Sequence, residues 1–162
     1  MSDIHYGVTP REVVAGLTGL ELLRGAMEGR LPAAPIARGM NFRLAEVEEG
    51  RAVFEGEPGA EHLNPLGSVH GGWALTLIDS ACGCAAHSTL PAGVGYSTIE
   101  TKVNFTRAMR PDGGTIRTEG TVLARGRTII TAEARMTDAD GRLVAHGTST
   151  LMVLVPKLSA AG

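Results

Sequence analysis

The sequence predicts an α+β domain in which one antiparallel, curved β-sheet wraps around a long central helix. Three observations carry this. From Gly71 to Ala86 the chain runs GGWALTLIDSACGCAA, with Asp79 as its one charge. That is long for a strand, and its Ala and Leu content favours a helix. Most of its faces are apolar or small, so something must wrap it. Downstream, four alternating runs are separated by turn residues, and hairpin-length links between them imply neighbouring antiparallel strands.

Taken in order, Thr9-Pro10 opens a helix over REVVAGLTGLELLRGAMEG. Thr9 is placed to cap it, with Pro10 at the first helical position and Glu12 three residues after the cap. Leu31 to Pro35 reads as a linker. MNFRLAEVEE and RAVFEGEP, joined at Gly50, read as a β-hairpin. Gly59 to Ser68 is irregular, with Asn64-Pro65 as a turn signal. The apolar helix follows and ends before Pro91. In STIETKVNFTR, Ile99, Val103 and Phe105 alternate with Glu100, Lys102 and Asn104. Pro111 to Gly114 is a turn before TIRTEGTVLA. In TIITAEARMT, Ile130, Ala132, Ala134 and Met136 share one face. Asp140-Gly141 is a hairpin turn before the last strand, LVAHGTSTLMVLV. The expected organisation is a helical extension and linker over 1–35, one domain over 36–156 and a tail over 157–162.

Composition narrows the function. The chain has 162 residues, a net charge of −2 and 4% aromatics. That leaves neither the clustered cations nor the stacking platforms of a nucleic-acid binder. The apolar run falls short of the ~20 residues of a membrane span and carries an acid at its centre. The first residues lack the apolar core of a secretory signal. A cytoplasmic protein with neither nucleic-acid nor membrane partner is expected. Cys82 and Cys84 are two apart and do not face each other on a helix, so a disulfide is not expected. With His62 and His70 they match no standard zinc spacing, and no metal is expected.

Asp79 is the chemical anomaly. A carboxylate among apolar neighbours is costly unless it is paired, hydrogen-bonded or used. It could cap or pair with a buried partner such as Arg107, or it could react. Gly71, at the helix start, offers an N–H without an intrahelical partner and the positive end of the dipole. Glycine also permits close approach of a substrate carbonyl. Asp79 lies eight residues past Gly71, or ~12 Å along a helix at ~1.5 Å per residue. A reacting contact is only ~3 Å. Asp79 therefore does not comfortably serve a carbonyl held at its own Gly71, whereas two such helices packed antiparallel would bring Asp79 of one to Gly71 of the other.

The segment Asn64-Pro-Leu-Gly-Ser-Val-His70-Gly71-Gly72-x3-Thr76-Leu-x-Asp79 resembles the hotdog-fold acyl-CoA thioesterases, within them the phenylacetic-acid-pathway and Them2-like group. The likeness continues through Ser97, Val103-Asn-Phe105 and GRLVAHGTST. It implies a hotdog fold and hydrolysis of an acyl-CoA thioester to an acid and CoA. By resemblance Asp79 is the nucleophile or general base, and the Gly71 N–H is the oxyanion donor. Asn64 orients the thioester or water, His70 stands beside the oxyanion site, and Ser97 assists the acid. The resemblance also implies a homodimer with shared sites, and a dimer of such dimers. No cofactor is expected, since CoA is part of the substrate. Its phosphates call for cations; Arg125, Arg127 and Arg107 are the candidates. Two alternatives remain open at this stage: a hydratase or dehydratase on the same fold, and a non-catalytic acyl-CoA binder.

Overall fold

A computed structural model describes residues 4–156; the expected tail over 157–162 lies outside them. Its elements are helices α1 (Arg11–Gly16), α2 (Gly19–Met27), α3 (Pro35–Gly39) and α4 (Gly71–His87), and strands β1 (Phe42–Glu48), β2 (Arg51–Gly56), β3 (Gly95–Phe105), β4 (Ile116–Arg125), β5 (Ile129–Thr137) and β6 (Leu143–Leu154). All strand pairs are antiparallel, in one six-stranded sheet ordered β1-β2-β4-β5-β6-β3. The sheet wraps α4, which packs on every one of its strands. The expected architecture is present.

The core is the inner face of the sheet against α4. Trp73, Ala74, Leu77, Ile78, Ala81, Cys82, Ala85 and Ala86 of the helix are buried against Ile130, Ala132, Ala134 and Met136, the face the alternation of β5 predicts. Each large side chain so buried stabilises the fold by ~1.5–3 kcal/mol. At Gly120 a Cβ would lie 2.4 Å from the Ala81 backbone. Only glycine lets β4 come this close to the helix.

Four expectations need correcting. The N-terminal helix is two helices, and its capping box is Thr18–Glu21, not Thr9–Glu12. The Thr18 hydroxyl and the Glu21 carboxylate satisfy each other's backbone N–H groups, which starts a new helix at Gly19. The linker ends in a short helix, α3, opened by Pro35. The four downstream strands are not a simple meander: β3 pairs with β6 at the far edge, and β2 pairs with β4. The link from Thr106 to Thr115 carries the chain beneath the start of α4, where Val69 N–H donates to the Met109 carbonyl. Finally, the alternation along β3 breaks at a bulge between Thr98 and Glu100. Ile99 is left 57% exposed, and the inward face becomes Tyr96, Thr98, Thr101, Val103 and Phe105.

Candidate active site

The start of α4 is held from several sides. His70 is its N-cap: Nδ1 accepts from the Gly72 N–H at 2.9 Å. This fixes Nδ1 as the unprotonated nitrogen and leaves Nε2 free. Trp73 N–H donates to the His70 carbonyl. Among the described residues the Gly71 N–H alone in this turn has no partner. Gly71 lines a cleft of about 420 Å³ together with Ser68, Val69, Phe105 and Arg107, among others. A Cβ at position 71 would lie 3.0 Å from the Phe105 ring.

The loop before this turn is rigidly built. Asn64 Oδ1 accepts from the N–H groups of Leu66 and Ser68, at 2.9 and 3.2 Å. Its amide NH2 remains available at the loop surface. Buried His62 accepts from the Gly59 N–H through Nδ1, and its Nε2 lies 2.9 Å from the Gly39 carbonyl. Its own carbonyl accepts from the His70 N–H. Trp73 Nε1–H donates to the Met40 carbonyl at 2.7 Å. Two ring N–H groups, one before and one after the free donor, thus grip consecutive carbonyls at the end of α3. Helix ends leave such carbonyls without intrahelical partners.

Asp79 sits half-buried in the middle of the same helix. Its Oδ1 accepts hydroxyl hydrogen bonds from Thr98 and Thr101 of β3, each at 3.0 Å. Oδ2 has no protein partner among the described residues. The carboxylate is therefore oriented through one oxygen and open at the other. Thr101 Oγ1 also lies 2.9 Å from Ser149 Oγ of β6. Arg107 is not Asp79's partner; it lines the cleft beside Gly71.

The geometry brings together Asp79, Thr98 and Thr101 at mid-helix, and Asn64, His70 and Gly71 at the helix start. Ser97 is not with Asp79. It is exposed, pairs with Met152, and points away from the helix because its neighbour Thr98 points toward it. Thr98, Thr101 and Ser149 were missed. Thr101 shares the phase of Val103 and Phe105, Thr98 falls on the opposite phase, and only knowledge of the bulge puts the two on one face. Arg125 and Arg127 are exposed at the β4–β5 turn. This turn lies beside Val153, toward the start of β3, whereas Gly71 lies against the end of β3. Cys82 and Cys84 are unpaired, and desolvation first, then the charge of Asp79, pushes both thiols up to about 12. No cluster of three metal-binding side chains occurs among the described residues, and no helix among them is long and apolar enough to cross a membrane.

Comparison with known proteins agrees. The thioesterase superfamily profile matches residues 66–145. A candidate esterase of Saccharolobus solfataricus is 34% identical over 128 residues, 79% of this chain and 89% of that one. Human acyl-coenzyme A thioesterase 13 is 28% identical over 108 residues, covering 66% of this chain and 76% of its own. A candidate thioesterase from Ralstonia eutropha, related to phenylacetic acid degradation, superposes with a TM-score of 0.74 at 25% identity, covering 81% of this chain and 98% of that one. A hypothetical thioesterase from Streptococcus pneumoniae, solved with coenzyme A, gives 0.64 at 26% identity over 70% of this chain and 88% of that one. A six-stranded sheet around one helix, with a carboxylate held at mid-helix, is here the hotdog fold of a thioesterase. The chain belongs to the thioesterase superfamily.

Proposed function

We propose that this protein hydrolyses acyl-CoA thioesters, with aryl or short to medium acyl groups, to the free acid and CoA. The observation that carries the reading is the half-tethered Asp79, with Oδ1 bound to two hydroxyls and Oδ2 open. Thioester hydrolysis needs such a carboxylate, as general base to water or as nucleophile, and a donor for the oxyanion. The free Gly71 N–H is the donor of choice, and each such donor is worth ~3–4 kcal/mol of barrier. Asn64, through its free amide, orients thioester or water; His70 holds the donor turn by its cap.

Because the two groups lie ~12 Å apart along one helix, we assign them to one site from two subunits. Strand β3 supports this. It is an eleven-residue edge strand whose outer edge has no partner among the described residues, and such an edge is a template for pairing with another chain. Antiparallel pairing of β3 with its copy turns the two α4 helices antiparallel and brings Asp79 toward the partner's Gly71; two such dimers then assemble into a tetramer. Thr98, not Ser97, is our assignment for the residue assisting the acid. Arg107, which lines the cleft, is our candidate for the CoA phosphates, with Arg125 and Arg127 as further candidates. The reaction needs no cofactor, and the unpaired cysteines suit a reducing cytoplasm.

The test is a panel of CoA esters with thiol detection. Thiol release by the wild type and its loss in Asp79→Asn are expected. A protein that releases no thiol from any ester, or hydrates crotonyl-CoA instead, overturns the reading.

A further inference from the structure

Ser149 is 1% exposed on β6, and hydrolysis as described makes no use of it. Its hydroxyl lies 2.9 Å from Thr101 Oγ1 and donates toward the Glu100 carbonyl at 3.0 Å. Both neighbours belong to the bulged stretch of β3, where the ladder passes from Thr98–Leu151 to Glu100–Thr150 and Thr101–Ser149. A bulge costs regular pairing and re-aims side chains. Here it turns Thr98 and Thr101, three residues apart, onto one face and onto one carboxylate oxygen.

We infer that Ser149 is the positioning residue of the site: it pins the β3 bulge and orders the hydroxyl chain that ends on Asp79. The inference rests on the reading of Asp79 as the reacting carboxylate. Proton counting supports it. Thr101 has one hydroxyl proton and two oxygen neighbours, Asp79 Oδ1 and Ser149 Oγ. An ionised carboxylate is the stronger acceptor, so Thr101 donates there. Ser149 then gives its own proton to Thr101 Oγ1 or to the Glu100 carbonyl, and competes for neither of Thr101's roles. In a chain of this kind each bond polarises the next. Removing the Ser149 hydroxyl takes away the one proton placed between Thr101 Oγ1 and the part-buried Glu100 carbonyl, and with it the oxygen that Thr101 packs against.

A double-mutant cycle of Ser149→Ala and Thr101→Val on the full-length protein tests this. Ser149→Ala is expected to lower kcat ~10-fold with KM within ~2-fold, the size of one lost hydrogen bond to a charged chain. In the Thr101→Val background the same change is expected to cost less than ~2-fold, because the two act as a unit. Full additivity in kcat, or a Ser149→Ala enzyme with unchanged kcat, overturns the inference. A crystal structure of Ser149→Ala reads the same point without turnover: Thr101 Oγ1 turned away from Asp79 supports the inference, and an unmoved Thr101 overturns it. Should the wild type release no thiol from any CoA ester, the proposed function falls, and the crystal structure still decides whether Ser149 positions Thr101.

Discussion

One helix carries both halves of the proposed site, and the two halves are built differently. At the start of α4 the groups that shape the donor are close in sequence, although the turn is anchored to Gly39, Met40 and Met109. His70 caps, Gly71 leaves a donor free, Asn64 folds its own loop, and His62 anchors the segment from a few residues upstream. At mid-helix nothing is local. Asp79 is oriented by Thr98 and Thr101, 19 and 22 residues downstream, and Thr101 in turn lies against Ser149, 48 residues further on. A donor can be assembled from contiguous backbone, because orphan N–H groups come with any helix start. A carboxylate in an apolar helix needs hydroxyls brought from elsewhere, because its own surroundings cannot solvate it.

The acid half should be the more sensitive to single changes. Asp79→Asn keeps the shape and hydrogen-bonding reach but not the base, and should lower kcat by ~10²–10⁴-fold. Steady-state thiol release measures this, with circular dichroism confirming the fold. Retained turnover would break the comparison outright, by leaving the donor turn to do the chemistry. Thr98→Val is nearly isosteric and removes one of the two donors to Oδ1. A hydrogen bond to a charged group is worth ~1.5–3 kcal/mol, so kcat should fall ~10–100-fold. Ser97→Ala, on the opposite face of the same strand, should leave it within ~2-fold, since it touches neither acid nor helix.

The same contrast decides how much was legible in the sequence. The wrapped helix, the β1–β2 hairpin, the inward face of β5 and the segment from Asn64 to Asp79 could all be read, because each rests on contiguous periodicity or motif. Ser97 rested on the family resemblance alone, and Thr98 was hidden because one extra residue at Ile99 reverses the phase of a period-two reading. The place of β3 beside β6 was not legible either: turn residues at Pro111 to Gly114 look like a hairpin, and only the packing of residues 106–109 under the helix shows otherwise. The cap at Thr18 was hidden by Thr9, which offers the same residue types at the same spacing.

The donor half should separate stability from activity. Gly71→Ala replaces the weakest helix former but one by the best, a gain of up to ~1 kcal/mol inside a helix. Its Cβ meets only the half-exposed Phe105 ring, at 3.0 Å. Thermal melts should therefore hold or rise while kcat falls ~10-fold as the methyl crowds the donor. A loss of stability instead would show that the turn is packed as tightly as the core. His62→Asn should act more mildly. It keeps an acceptor near the Gly59 N–H and loses the reach to the Gly39 carbonyl, so kcat should fall a few-fold and His62→Gln, which keeps that reach, should recover most of it.

The smallest effect tests how far the charge of Asp79 is felt. The Cys84 thiol is pushed up to about 12, by desolvation first and by Asp79 second. Thiolate absorbance should therefore be absent through pH 10 and rise only as pH approaches about 12. Asp79→Asn removes the second cause and leaves the first, so the onset should move down, and only slightly. A large downward shift would mean that the carboxylate's field, not the packing, governs the helix interior, and the acid half would then reach further along α4 than its hydroxyl partners. An unmoved onset would confine Asp79's influence to Thr98, Thr101 and whatever stands before Oδ2. That would place the whole difference between the two halves in directed hydrogen bonds rather than in long-range charge.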